Sequence, residues 1–313
     1  GISITGTYLG LSLGPVLGGL LIQNLGWRSI FWAIVPIGIV AIVLIARNIK
    51  SEWAEAKGKK FDLFGTVIYG LSLVGIIYGF SILPDTTGII LVVCGVLGIL
   101  AFVRWEDRTR SPIFNINILF KNRMFVLSNM IHLISYTTTF SVAFLLSLYL
   151  QYIKGLGPQD AGLVLVTMAA VQAGFATFAG KLSDRFNARV LGTAGLILAT
   201  IGLSRLILLS NDTGINMIVF YLVILGFGRS LFITSNTHAI MSSVDRMQYG
   251  VASATLATMR QVGMTLSMGI TMLLFSIYIG RVEITPQYYP VFLESARTAF
   301  LIFTLICSAA IPF

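Results

Sequence analysis

Long uncharged stretches separated by short charged ones dominate the chain. Apolar runs cover residues 29–46, 63–84, 86–103, 124–153, 161–180, 190–211, 213–244, 247–280 and 298–313, and an uncharged run covers 1–27. A helix needs roughly 20 apolar residues to cross a bilayer, so the pattern predicts ten membrane-spanning helices. Three of the runs hold one internal charge each: Arg205, Arg229 and Arg260.

Composition agrees with that reading. Hydrophobic residues make up 56% of the 313 and charged ones 11%, against roughly 25% charged in soluble domains. The expected fold class is therefore an all-α, multi-pass membrane protein. The net charge of +9 does not indicate a nucleic-acid partner, because the charges collect in a few loops. Those loops alternate. One set carries Arg47, Lys50, Lys57, Lys59 and Lys60, then Arg104, Arg108, Arg110, Lys121 and Arg123, then Lys181, Arg185 and Arg189, then Arg246. The opposite set carries only Arg28, Lys154, Arg281 and Arg297. The positive-inside rule makes the first set cytoplasmic. Residues 47–60 form a basic segment suited to anionic headgroups or a plain solvated connector. Cys94 and Cys307 lie inside apolar runs, which argues for neither a disulfide framework nor a metal site.

Within residues 1–27, Gly10, Gly14 and Gly18 recur every four residues and form one bare stripe on a helix. Such a stripe lets another backbone approach closely where lipid removes the hydrophobic incentive. Pro15 deletes one backbone donor and bends the helix. Together with Gly19 and the Gly26-Trp27-Arg28 ending, this stretch resembles the antiporter motif of drug/proton antiporters in the major facilitator superfamily. The bared face is expected to meet the 161–180 helix, rich in small residues (Ala169, Ala170, Ala173, Gly174).

Other stretches carry the same resemblance. Ser147 to Gln151, then Gly155 to Gly162, resemble the outer end of the seventh core helix and its loop, with Gly157-Pro158 as a turn and Asp160 as a cap. Gly180, Asp184, Arg185 and Arg189 resemble the superfamily's loop motif, which implies a gating role, with a simple cytoplasmic anchor as the alternative. Asn187 stands there where glycine is usual, and asparagine can still take a left-handed turn; Ala188 stands where a basic residue is usual. Arg260-Gln261-Val-Gly263 resembles the signature of the eleventh core helix. The resemblance implies a major-facilitator helical bundle of the fourteen-helix branch, with this chain corresponding to helices 5 to 14 and the N-terminal helices preceding Gly1. Residues 1–60 would then close the first bundle and lead into a connector. Residues 61–110 would be the extra helix pair, and 111–313 the C-terminal six-helix bundle.

Candidate chemistry is sparse. Every acidic residue is expected in a loop or at a helix end, so a membrane-buried carboxylate for proton coupling would have to precede Gly1. Arg260 is expected near the midplane, sharing a small polar face with Ser253, Ala257, Ser267 and Thr271. It either lines a cavity, with Gln261 beside it, or bonds to carbonyls. Arg229 either does the same or snorkels, and Arg205 snorkels. On the 124–153 helix, Ser128, His132, Tyr136, Thr139 and Ala143 recur at helical spacing, with Phe140 and Phe144 alongside. They form either a polar-aromatic cavity wall for bulky compounds or ordinary packing. Asn236, Thr237 and His238 are given no role, and the Asn211-Asp-Thr213 triplet is read as chance. No nucleophile–base pair, metal cluster or nucleotide loop appears, so an enzyme is the least favoured class.

The resemblance implies drug/proton antiport by alternating access, needing no cofactor beyond a proton gradient. Its partners would be hydrophobic or cationic small molecules, protons and the bilayer. Its location would be the plasma membrane of a prokaryote. Export of a defined metabolite, lipid or peptide, or ligand sensing without transport, remain open alternatives.

Overall fold

A computed structural model of the chain describes residues 17–22, 24–48, 62–108, 122–245, 248–280 and 284–311, together with Gly10 and Gly14. Among these residues every regular element is helical, and nine helices are long and apolar enough to cross a membrane. The opening run is also helical at Gly10, Gly14, 17–22 and 24–25.

The elements are α1 (Ser29–Asn48), α2 (Leu63–Ser81), α3 (Thr86–Glu106), α4 (Arg123–Leu148), α5 (Pro158–Arg185), α6 (Ala188–Leu206), α7 (Ile215–Ser242), α8 (Tyr249–Tyr278) and α9 (Tyr289–Ala309). α1 has no buried residue. The basic segment 49–60 lies outside the described residues.

α2 and α3 form a hairpin. Asp62 caps α2 by accepting from the Gly65 amide at 2.9 Å and takes the Trp105 Nε1 proton at 2.9 Å, tying the start of α2 to the end of α3. Glycines let the two backbones touch: a Cβ on Gly79 would sit 2.8 Å from the Gly88 carbonyl oxygen. The hairpin leans on α8, where Tyr69 donates to Thr258 Oγ1 at 3.0 Å and Gly269 accommodates the Phe80 ring.

Helices α4 to α9 pack into one bundle with a continuous apolar core that includes Leu145, Leu203, Leu225, Phe292, Phe300 and Phe303. Glycines again set its closest crossings. Gly195 of α6 lies against Gly228 and Phe232 of α7, Gly226 against Met168 of α5, and Gly263 of α8 against Leu133 and Tyr136 of α4. At the outer end α4 runs into a π-helical turn, Tyr149–Ile153. There Tyr149, Lys154 and Arg297 donate to the carbonyls of Ser210 (2.6 Å), Asn211 (2.5 Å) and Leu209 (2.6 Å). These bonds hold the α6–α7 connection down.

Four sequence expectations change. The last helix begins at Tyr289 rather than near residue 298, so Glu294 and Arg297 are helical rather than in a loop. The bond from Arg297 to Leu209 supports the cation there. The motif from Gly180 onward is mostly helix, because nothing between Lys181 and Arg185 interrupts α5. Asn187 is not left-handed: with φ −60° it caps α6, its side chain accepting from the Arg189 amide at 2.9 Å. Asp160 lies in the first turn of α5, while Gly157 holds the cap position and Pro158 opens the helix.

Candidate functional site

α4 and α7 build a polar row inside the bundle. Along α4, Ser128, Asn129, His132, Ser135, Tyr136, Thr137, Thr138, Thr139 and Ser141 are all buried. Many of these polar groups are tolerated because they bond within their own helix. Thr137 donates to the Leu133 carbonyl at 2.9 Å, Thr139 to that of Ser135 at 2.5 Å, and Asn129 to that of Phe125 at 2.9 Å. On α7, Arg229, Ser230, Thr234, Ser235 and Asn236 are also buried; Arg229 and Asn236 meet α4, while Ser230 and Thr234 meet α5.

Arg229 is the centre of the row. It is 7% exposed, so it does not snorkel. Its guanidinium carbon lies 5.0 Å from the centroid of the Tyr136 ring. Tyr136 in turn lies 5.0 Å from the His132 ring. Asn236 Nδ2 donates to the Ser128 carbonyl at 3.1 Å and stands 3.4 Å from His132 Nδ1. Arg229, Tyr136, His132 and Asn236 thus form one line of contact between the two helices. Arg229 Nε has no hydrogen-bond partner among the described residues. A buried guanidinium held mainly by a ring face is costly in a membrane. It creates a site of positive potential beside aromatic surface, suited to an acidic or electron-rich planar group.

The other expected residues divide. Thr139 is buried with its hydroxyl bonded inside α4, as helix packing requires, while Phe140 is 41% exposed and points away from the row. Arg260 and Gln261 are exposed. The face assigned to Arg260 splits along α8. Ser253 and Ala257 are exposed like Arg260, but Ser267 and Thr271 are buried, and Ser267 donates to Ser141 Oγ at 2.9 Å. The earlier half of α8 buries a different face, with Ala252 and Leu256 packed in one cluster with Phe125 of α4 and Ile240 of α7, while the Gly263 crossing brings Ser267 onto α4. Asn236 was legible only in hindsight. It follows Arg229 by seven residues, two helical turns, which places both on one face. Gln172 of α5, buried beneath Ser230, is a second addition; its carbonyl accepts from the Ser230 hydroxyl at 3.3 Å.

Among the motif residues, Gly180 meets only the Thr234 methyl, 3.9 Å from its would-be Cβ. Arg185 and Arg189 are exposed, and the Asp184 side chain lies outside the described residues. Pro15 does too. No described atom lies within 4 Å of a Cβ built on Gly10, Gly14 or Gly18. Of the described motif glycines only Gly19 meets α5, where its Cβ would stand 3.4 Å from the Gln159 Cα. Among the described residues, the stripe glycines do not reach the small-residue face of α5, where Ala170 is exposed and Gly174 is open. The touch comes at the N-terminal tip of α5, which starts at Pro158.

Comparison with known proteins gives this bundle its relatives. The chain is 32% identical over 270 residues to the riboflavin transporter RibZ of Clostridioides difficile, covering 85% of this chain and 58% of the relative. It is 27% identical over 267 residues to the multidrug resistance protein Stp of Mycobacterium tuberculosis (84% and 49%). It is 24% identical over 274 residues to the tetracenomycin C resistance and export protein of Streptomyces glaucescens (86% and 51%). The chain thus spans about half the length of the curated relatives it matches. The sequence profile of the Major Facilitator Superfamily matches residues 1–268 and, in a second overlapping match, 128–313. With nine described helices able to span a bilayer and bacterial relatives throughout, the chain is a multi-pass protein of a prokaryotic plasma membrane and belongs to the Major Facilitator Superfamily.

Proposed function

We propose that the protein is a secondary active exporter of hydrophobic compounds, driven by proton antiport on the fourteen-helix scaffold. Residues 111–313 form its C-terminal bundle, 61–110 the additional helix pair, and 1–60 the end of the first bundle with its connector. Transport follows alternating access, the two bundles rocking about a site between them. Gly10, Gly14, Pro15, Gly18 and Gly19 act as the moving contact of the first bundle, and Gly180, Asp184, Arg185 and Arg189 as an inner gate.

The observation that carries this reading is the buried row of Arg229, Tyr136, His132 and Asn236, set in a scaffold whose relatives include resistance exporters. Arg260 and Gln261, exposed on α8, extend the wall. The test is dye efflux from inverted vesicles holding the full protein, with and without a pH gradient. Gradient-driven efflux that falls at least about 10-fold in Arg229→Met, a loss of about 1.4 kcal/mol in transition-state terms, is the expected result. Efflux indifferent to the gradient defeats antiport, and unchanged efflux in Arg229→Met defeats the site.

One observation favours a second reading. Arg229 has no ion pair among the described residues, and its charge repels the cationic drugs that the opening motif implies. A planar, electron-rich or acidic metabolite fits it better, as does the 32% identity to a riboflavin transporter. Competition of dye efflux by riboflavin, against competition by a lipophilic cation, separates the two.

A further inference from the structure

A cavity of about 580 Å³ opens at the end of the bundle where the arginine-rich loops gather, between α4, α6, α7 and the end of α9. Its mouth carries Arg123 and Arg189, both exposed. Each sits in the first turn of its helix, so two positive helix ends converge with two cations. The caps Asn122 and Asn187 already occupy the Phe125 and Arg189 amides. Attraction at the mouth therefore comes from charge more than from free backbone donors. No described lining residue is acidic.

Deeper in, the lining changes. Ser128, five residues beyond Arg123, lies about 7.5 Å further along the axis at 1.5 Å per residue. Ser128 is 7% exposed and lines the cavity. Asn236, also 7% exposed, stands beside it. Beyond these the wall is apolar: Ile131, Leu196 and Phe232. The order from mouth to floor is cation, hydroxyl and amide, then hydrocarbon. A phospholipid has its phosphate, its glycerol ester oxygens and its acyl carbons in that same order.

We propose that this cavity binds an anionic phospholipid of the cytoplasmic leaflet, with its phosphate on Arg123 and Arg189 and its ester oxygens accepting from Ser128. Basic pockets on the cytoplasmic side of helix bundles hold anionic headgroups by this balance of charge and apolar wall. The volume suits a headgroup with its glycerol and the start of its chains. The cavity borders the Arg229 row at Asn236, but lipid retention is read without any transport measurement and does not depend on what the protein transports.

The experiment is native mass spectrometry of the purified full-length protein after exchange into equal phosphatidylglycerol and phosphatidylcholine. Phosphatidylglycerol is expected to be retained about 10-fold over phosphatidylcholine, a preference on the scale of two arginines near an anionic headgroup. Arg123→Gln with Arg189→Gln should bring the ratio to about one. Gly192→Leu gives a second variant with the charges intact. Gly192 lines the cavity and a Cβ there meets no described atom within 4 Å, so the new side chain fills the space and should displace the lipid. Equal retention of both lipids by the unmodified protein overturns the proposal without any variant. Undiminished preference in both variants overturns it as well. Release of the bound lipid by millimolar glycerol phosphate assigns the cavity to a soluble phosphate instead, and likewise overturns the lipid reading.

Discussion

Two glycine-rich regions of this protein look alike in sequence and behave oppositely in the fold. Gly75, Gly79, Gly88 and Gly95 of the α2–α3 hairpin press against the facing backbone, as do Gly195 and Gly228 at the α6–α7 crossing. Gly10, Gly14 and Gly18, the more regular stripe, face nothing described within 4 Å. A bare stripe permits close approach but does not choose the surface that approaches. In the hairpin that choice is made by a short connection, which forces neighbours in the chain to be neighbours in space. The opening helix also has a short connection, residues 26–28 into α1, yet its stripe meets no described atom within 4 Å, so a short link alone does not make a glycine stripe a contact.

The largest effect should follow from adding bulk where two backbones already meet. A Cβ on Gly228 would lie 2.5 Å from the Ala199 amide nitrogen. Gly228→Val is therefore expected to destabilise the bundle by about 3 kcal/mol, the upper part of the usual overpacking range. Loss of monodisperse protein on gel filtration would show it; a normal thermal midpoint would mean that the crossing is looser than described. Next comes Gly79→Ala, which drives a methyl toward the Gly88 carbonyl. About 1–2 kcal/mol is expected, confined to the hairpin and visible as faster proteolysis of the 62–108 region with α4–α9 intact.

Arg229→Met tests the buried row in the same terms. Replacing an unpaired buried charge by an apolar side chain of similar length should leave stability equal or raised, while transport is lost. A fall in thermal midpoint would mark Arg229 as structural. The smallest stability effect belongs to the opening stripe. Gly14→Ala and Gly18→Ala should change stability by no more than about 0.5 kcal/mol, as for open positions generally. Gly14→Leu should still insert in the membrane yet abolish efflux. Normal efflux would remove the stripe from the moving interface.

Much of the architecture was legible because a bilayer constrains sequence so strongly. Charges cannot sit unaided in hydrocarbon, so they marked the ends of α1 to α8 within a few residues. The rule failed at α9, whose first turns hold Glu294 and Arg297. A carbonyl on another helix supports Arg297 there, and no local pattern announces that bond. The polar stripe on α4 was visible from spacing, and so was the isolation of Arg229. Their meeting across Tyr136 was not, and Asn236 gained its place only through that meeting.

The amino-acid sequence alone determined that the chain lies in a membrane, where most helices begin and end, and which superfamily it resembles; which loops face the cytoplasm it gives as an expectation from their charge. These follow from transfer free energies and local backbone chemistry, both of which act residue by residue. Tertiary structure decided which glycines are contacts, which face of α8 is buried along its length, and that Arg229, Tyr136, His132 and Asn236 form one row. Such pairings depend on how separate helices rotate and cross, and many arrangements of the same apolar rods satisfy the bilayer equally well. Close packing at a few glycines and a handful of polar bonds select among them.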